Sequence, residues 1–267
     1  YSHIAAKNLF KDAEIKTCAT FEETFKMAFE DETYKIIIPI ENSLAGRVAD
    51  IHYLLPKYKL QIYGEHFQKV EHNLIVKKNA NIKDIKFVRS HAQAIGQCQQ
   101  IIMNNNFKTI ISADTAGSAR DLANSNDISI AAIASELSAK IYDLKILKKN
   151  IEDESGNVTR FLIMGKNPKQ PENERGKKYI TTCIFRLKSI PAALYKCLGG
   201  FATNQVNLTK LESFSVKNTF DQVNFYIDIE GHIEQPSLQK ALEELGFHTQ
   251  KLDVLGVYEA HQYRFKN

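Results

Sequence analysis

Nowhere does the chain hold the roughly 20 consecutive apolar residues needed to span a bilayer, and no leader of basic, apolar and small residues opens it. A soluble, cytoplasmic protein with no membrane association is expected. Cysteine is scarce. Cys18, Cys98, Cys183 and Cys197 form no Cys-x-x-Cys pair and no zinc spacing, so they read as reduced, mostly buried thiols of an intracellular protein, and no metal is expected. Net charge is small too, with 35 Lys and Arg against 31 acidic residues, a formal +4 without a basic run. That balance is too weak and too dispersed to favour nucleic acid. There is no Gly-x-Gly-x-x-Gly, no phosphate loop and no His-Glu-x-x-His, so no nucleotide or other cofactor is expected. His3, His52, His66, His72 and His91 have no carboxylate or serine partner at a telling spacing, which leaves a hydrolase triad unsupported.

What is present is length and alternation. At 267 residues the chain exceeds one ordinary domain, and two are the better expectation. The polar stretch 165–178, with two prolines and two glycines, cannot bury apolar surface and reads as a linker. Before it, β-branched runs alternate with amphipathic patterns: strand 36–40, helix 46–56, strand 86–89, helix 91–105, strand 109–112, helix 115–124, strand 128–131 and helix 133–142. This is the pattern of an α/β architecture with largely parallel sheets. After it come strand 178–187, helix 191–203, strands 207–216 and 221–229, helix 236–246 and strand 250–259. That βαββαβ order is the ferredoxin-like plait. Helix 91–105 illustrates the periodicity, with Ile95, Cys98, Ile101 and Ile102 on one face and Ser90 placed as its N-cap. Asp114 and Thr115 offer the same service to helix 115–124.

Four strand-like segments end or begin in small polar groups. They are Ile36–Ile40 before Glu41-Asn-Ser, Phe87-Val-Arg-Ser-His91, Thr109–Gly117, and Asn157-Val-Thr-Arg-Phe-Leu-Ile-Met164. In open parallel sheets ligands bind beyond the carboxyl ends of the strands, where helix N-termini present free amides and a positive dipole end. Hydroxyls (Ser43, Ser90, Thr115), amides (Asn42, Gln97) and a close-approach glycine (Gly117) meet that description. They suit a small, oxygen-rich, carboxylate-bearing molecule. Taken singly, each has a plainer account: Ser90 and Asp114 as helix caps, Glu41-Asn42 as a turn, Thr159 as a strand former, Arg160 as a solvated charge and His91 as a structural helix-start residue.

Together, these blocks resemble the prephenate dehydratase family over nearly the whole chain. Pro39-Ile-Glu-Asn-Ser-Leu-Ala-Gly-Arg-Val-Ala-Asp50 looks like its Glu-Asn-Ser block, and Ser90-His-Ala-Gln-Ala-Ile-Gly-Gln-Cys98 like its Ser-His block. Ser112-Ala-Asp-Thr-Ala-Gly-Ser-Ala-Arg120 is similar to the next, and Asn157-Val-Thr-Arg-Phe161 carries the Thr-Arg-Phe hallmark. The C-terminal part, with Ile190–Leu198 and Leu211-Glu-Ser213, is similar to the phenylalanine-sensing ACT domain attached to such enzymes.

The resemblance implies a two-lobed, periplasmic-binding-protein-like dehydratase domain over 1–166, a linker at 167–177 and an ACT domain over 178–267. It implies decarboxylation of prephenate with loss of the ring hydroxyl to give phenylpyruvate, under control by L-phenylalanine, in a homodimer or homotetramer. Carried over residue by residue, Thr159, Ser90, Glu41, Asn42 and Gln97 are the catalytic candidates, with Thr159 donating to the departing hydroxyl. Ser2, Ser43, His91, Thr115, Ala116, Gly117, Arg160 and Phe161 are candidates for substrate binding. Ala192, Ala193, Leu194, Leu211, Glu212 and Ser213 are candidates for effector binding. The family's Gly-Ala-Leu stands here as Ala192-Ala193-Leu194, and its Glu-Ser-Arg-Pro as Glu212-Ser213-Phe214-Ser215, which puts the strength of inhibition in question. Tyr1-Ser-His-Ile resembles the tail of a Gly-rich block, so a first strand is expected before it. The rivals are an arogenate dehydratase, acting on the aminated substrate, and a non-catalytic amino-acid sensor. Thr159 together with Glu41-Asn42 and Ser90 argues against the last.

Overall fold

The computed structural model describes residues 1–48, 51–216 and 222–265. Ala49 and Asp50, which close the first motif block, and residue 221, where a strand was expected to begin, lie outside the described residues. By contacts the chain falls into two compact units, one of Tyr1, Glu41–Gly46 and Gln68–Thr159, the other of Ser2–Ile40, Arg47–Phe67 and Arg160–Asn267.

The N-terminal part of the chain supplies α1 (Ser2–Leu9), α2 (Phe21–Glu30), β1 (Ile36–Asn42), β2 (Gly46–Arg47), α3 (Leu54–Tyr58) and β3 (Gln61–Lys69). Thr20 starts α2 as a capping residue, its Oγ1 accepting from Glu23 N at 3.1 Å while the Glu23 carboxylate reaches back to Ala19 N at 2.8 Å. The helix expected over 46–56 is instead the short β2 and the later α3.

The middle of the chain gives β4 (Asn73–Val76), β5 (Phe87–Ser90), α4 (Ala92–Gly96), α5 (Gln99–Asn104), β6 (Lys108–Ile111), α6 (Thr115–Asn124), β7 (Ile130–Ala134), α7 (Glu136–Ile141) and β8 (Lys145–Lys148). Its five strands run in the order β6-β5-β7-β4-β8. β5 pairs in parallel with β6 and β7, whereas β4 runs antiparallel to β7 and β8, so this sheet is mixed and not largely parallel. Leu74, Val88, Ile95, Cys98, Ile102, Ala131 and Ile133 pack between sheet and helices. β9 (Val158–Gly165) then joins β2, β1 and β3 in a four-stranded sheet of order β2-β1-β9-β3.

The C-terminal part follows as β10 (Tyr179–Leu187), α8 (Ala193–Thr203), β11 (Leu208–Ser215), β12 (Val223–Glu230), α9 (Pro236–His248) and β13 (Thr249–Glu259), closed by a 3-10 turn at Gln262–Phe265. The expected βαββαβ order is present, and its sheet runs β11-β12-β10-β13, antiparallel throughout. Alternate residues of the central strand β10 face opposite sides. Cys183 and Phe185 meet Cys197, Phe201, Leu238 and Leu245 of α8 and α9. Ile180 and Ile184 belong to a different core, one shared with Phe25, Ile38, Leu54, Ile62, Leu162 and Met164. The plait and the N-terminal elements of the second unit thus have a common hydrophobic interior.

Candidate active site

Thr159 is the second residue of β9 and 8% exposed. Its surroundings are dictated from the turn after β1. There the Asn42 Oδ1 accepts from the backbone amides of Leu44 (3.1 Å) and Ala45 (2.8 Å), an Asx turn that fixes which end of this amide is oxygen. The Asn42 Nδ2 therefore points the other way and donates to Asn157 Oδ1 at 2.7 Å and to Thr159 Oγ1 at 3.0 Å. With Asn157 Oδ1 accepting, its Nδ2 is the donor to Gln97 Oε1 at 2.8 Å. The same Gln97 oxygen lies 2.9 Å from His72 Nε2, which must then carry the proton. Burial lowers the His72 pKa, the larger influence over the hydrogen bond to Gln97, and the ring is neutral at physiological pH. The Tyr1 hydroxyl, bonded to Glu71 O at 2.6 Å, lies 3.1 Å from the other ring nitrogen.

This orientation has a chemical consequence. Because Thr159 Oγ1 accepts from Asn42, its own hydrogen is left to donate elsewhere. Gln97, its oxygen holding two donors, keeps its NH2 as a second donor. Ser43 clamps the same segment, with its Oγ donating to Gly156 O at 3.0 Å and accepting from Val158 N at 2.9 Å.

Gln97 sits at a break that periodicity did not reveal. The helix expected over 91–105 is interrupted between α4 and α5. There Asp153 accepts from the amides of Gln99 (2.7 Å) and Gln100 (3.1 Å), and its own N–H donates to Gln97 O at 2.7 Å. A carboxylate from a distant loop satisfies amides that a continuous helix would have bonded internally. Ser90 is not the cap. Its fully buried hydroxyl donates to Ile133 O at 2.7 Å, and the capping role falls to His91, whose Nδ1 accepts from Gln93 N at 3.3 Å. Asp114 does cap α6, accepting from Gly117 N at 2.6 Å. The close approach at Gly117 is to that cap, since a Cβ there would meet Asp114 Oδ2 at 2.7 Å. Thr115 and Ala116 are half-buried in the first turn of α6, and Glu41 is half-buried beside Asn42 on β1.

Thr159, Asn42, Ser43 and Gln97 are thus brought together, joined by Asn157 and His72, which the sequence does not single out. Asn157 opens the Thr-Arg-Phe motif block, but nothing in its residue type or spacing marks it as a site residue. His72 had no signal, its partner standing 25 residues away.

Arg160 is neither the solvated charge of the plainer account nor open to substrate. Its guanidinium, 4% exposed, is committed to Glu65, Asp228 and Tyr258. Phe161 is buried in the interior and Ser2 half-buried at the start of α1. Of the effector candidates, Ala192 adopts φ +60 ahead of α8, a left-handed conformation that glycine takes freely and an L-residue adopts at a cost of about 1–2 kcal/mol. Ala193 is buried, Leu194 half-buried and Leu211 exposed. The Glu212 carboxylate bonds Lys210 Nζ at 2.6 Å, with buried His52 Nε2 2.9 Å away but off the hydrogen-bond direction. Partial burial would raise the Glu212 pKa, yet His52 and Lys210 outweigh it and hold it at about 2. Ser213 and Ser215 line an open cavity of about 310 Å³ with Arg47, His52, Tyr53 and Phe214. Among the described residues, no group of three or more His, Cys, Asp or Glu could hold a metal ion, and no helix is long and apolar enough to cross a membrane.

Comparison with known proteins agrees with the motif blocks. The family model described as prephenate dehydratase matches residues 1–169. A bifunctional N-acyl-homoserine lactone acylase/prephenate dehydratase of Komagataeibacter europaeus is 39% identical over 100% of this chain and 94% of its own length. Arogenate dehydratase/prephenate dehydratase 2 of Arabidopsis thaliana is 36% identical over 97% of this chain and 70% of its own. The crystal structure of a prephenate dehydratase from Arthrobacter aurescens in complex with L-Phe superposes with a TM-score of 0.87 at 26% identity, covering 98% of this chain and 87% of that one. On the family match and these whole-chain identities, the chain belongs to the prephenate dehydratase family.

Proposed function

We propose that this chain converts prephenate to phenylpyruvate, carbon dioxide and water, with Thr159 as the hydrogen-bond donor to the departing ring hydroxyl. The observation that carries this reading is the Asn42 Nδ2 bond to Thr159 Oγ1, which uses the hydroxyl as acceptor and leaves its hydrogen to be donated. Aromatisation supplies the driving force. As the carboxylate carbon leaves as carbon dioxide, the bonding pair passes into the ring and the ring carbon–oxygen bond breaks. The enzyme has to orient the substrate and stabilise the charge growing on the leaving oxygen. A threonine is too weak an acid to release its proton outright, so it shares a hydrogen bond with the departing hydroxide, which becomes water by taking up one proton from the solvent, the reaction consuming one proton overall. Glu41, Asn42 and Gln97 are the orienting groups. Ser90, whose hydrogen goes to Ile133 O, supports the strand end beneath them.

Replacing Thr159 by Ala is expected to lower kcat by about 10²- to 10³-fold, the scale of losing one oxyanion donor, with KM changed less than about threefold. Unchanged kcat removes Thr159 from the mechanism. The Arabidopsis relative's name favours arogenate as a second substrate. Separate incubations with prephenate, arogenate and an N-acyl-homoserine lactone, followed by product identification, separate the three reactions named among the relatives. Turnover of none leaves the amino-acid sensor.

In the same reading, 1–166 is the two-lobed dehydratase domain, 167–177 a linker and 178–267 an ACT domain. Its βαββαβ order and the L-Phe complex of the Arthrobacter relative support this. L-Phenylalanine then binds near Ala192–Leu194 and Leu211–Ser213 in a cytoplasmic homodimer or homotetramer. Inhibition by added L-phenylalanine and the mass in solution test both parts.

A further inference from the structure

Arg160 is peptide-bonded to Thr159, and strand alternation sends the two side chains to opposite faces of β9. On its face the guanidinium is held at three points by three other strands. Nε donates to Glu65 Oε2 on β3 at 2.7 Å, Nη1 to Asp228 on β12, and Nη2 to the Tyr258 hydroxyl on β13 at 3.0 Å. Glu65 is further bound by Arg264 Nε at 2.6 Å and His261 N at 3.0 Å. Asp228 Oδ1 accepts from Thr182 Oγ1 at 2.6 Å and the Tyr226 hydroxyl at 3.0 Å. Thr182 has one hydrogen and gives it to this carboxylate, so the Tyr258 hydroxyl, 2.9 Å away, donates to Thr182 and accepts from Arg160. Each of these hydrogen bonds therefore has one direction, and Arg160 and Arg264 lie against the carboxylates of Glu65 and Asp228.

Buried clusters of this kind stabilise little beyond what apolar side chains of the same volume would, because desolvation offsets the attraction between charges. What a planar fork with three fixed partners does provide is orientation. Because the two residues are adjacent on β9, a local twist that turns the Thr159 hydroxyl off Asn42 works against the bonds of Arg160 to Glu65, Asp228 and Tyr258. A displacement near 1 Å at a reacting group costs on the order of 10²-fold in rate.

We infer that Arg160 is a positioning residue for Thr159, and that Asp228 and Tyr258, far along the chain in the C-terminal plait, act on turnover through it. This rests on Thr159 being the donor proposed above.

The test is a double-mutant cycle on the full chain, with kcat and KM measured on whichever of prephenate and arogenate the parent turns over. Asp228→Asn keeps the volume and removes the charge that holds Nη1. Tyr258→Phe removes only the hydroxyl and serves if Asp228→Asn does not melt cooperatively. Either is expected to lower kcat about 10- to 100-fold, with KM within about threefold. In a Thr159→Ala background the same change should alter the residual rate less than about twofold, because its route of action is gone. A cooperatively melting variant with full kcat overturns the inference, as does an equal fold-loss in both backgrounds. A Thr159→Ala protein with full turnover, or a parent inactive on both substrates, sinks the functional reading and the inference with it. A dead Thr159→Ala beside a fully active Asp228→Asn sinks the inference alone.

Discussion

Asn42 governs the candidate site through the direction of one hydrogen bond. Asn42→Asp would keep the acceptor for Leu44 and Ala45 but replace the donor facing Thr159 by a second carboxylate oxygen. The threonine hydrogen would then turn toward the aspartate and away from substrate. A kcat loss of about 10²-fold or more is expected, with little change in melting temperature; equal losses in rate and stability would mean that the residue serves only the turn. His72 adds a pH signature. Its folded pKa lies below the unfolded value near 6.5, so the unfolded chain binds the extra proton first as pH falls. Its contribution to stability is therefore complete above about pH 6.5 and declines below it, through the folded pKa. His72→Gln, which keeps a donor for Gln97, should flatten the loss of melting temperature between about pH 7 and 5. A slope equal to the parent's would show that this ring is not the group responsible.

Elements were legible where their cause is local, and the site only where a motif carried it. α6 was readable to its ends because Asp114 caps it and its apolar face repeats, and the plait's strands were readable because each holds its own β-branched run. The sequence pattern does not predict α1, α2, β3, β4 or β8, and over 46–56 it predicts one helix where the structure has β2 and α3. The division of 91–105 was invisible for a sharper reason. Ile95, Cys98, Ile101 and Ile102 are all buried as the periodicity required, while the break depends on Asp153, more than 50 residues later. Asp153→Ala should cost about 1 kcal/mol as a lost cap. It should also lower kcat, because Asp153 N–H fixes Gln97 O only while its loop stays in place. Loss of stability with kcat intact would separate the helix start from the placement of Gln97.

At the scale of the whole molecule, the stretch 165–178 reads as punctuation in the sequence, yet the core does not stop there. Ile38, Leu54, Ile62, Leu162 and Met164 share one hydrophobic cluster with Ile180, Ile184, Tyr226 and Tyr258. β13 approaches β3 so closely that a Cβ on Gly256 would stand 2.5 Å from Ile62 O, a contact only glycine permits. Each of the large side chains left bare by removing residues 178–267 would forfeit about 1.5–3 kcal/mol of burial. Four or five of them match the roughly 5–15 kcal/mol that separates a native domain from its unfolded state. A fragment of residues 1–166 should accordingly lack a cooperative thermal transition and bind a hydrophobic dye, even though it holds every residue of the candidate site. A fragment that melts sharply and turns over substrate would show that the shared core is dispensable and that the linker does divide two independently folding domains.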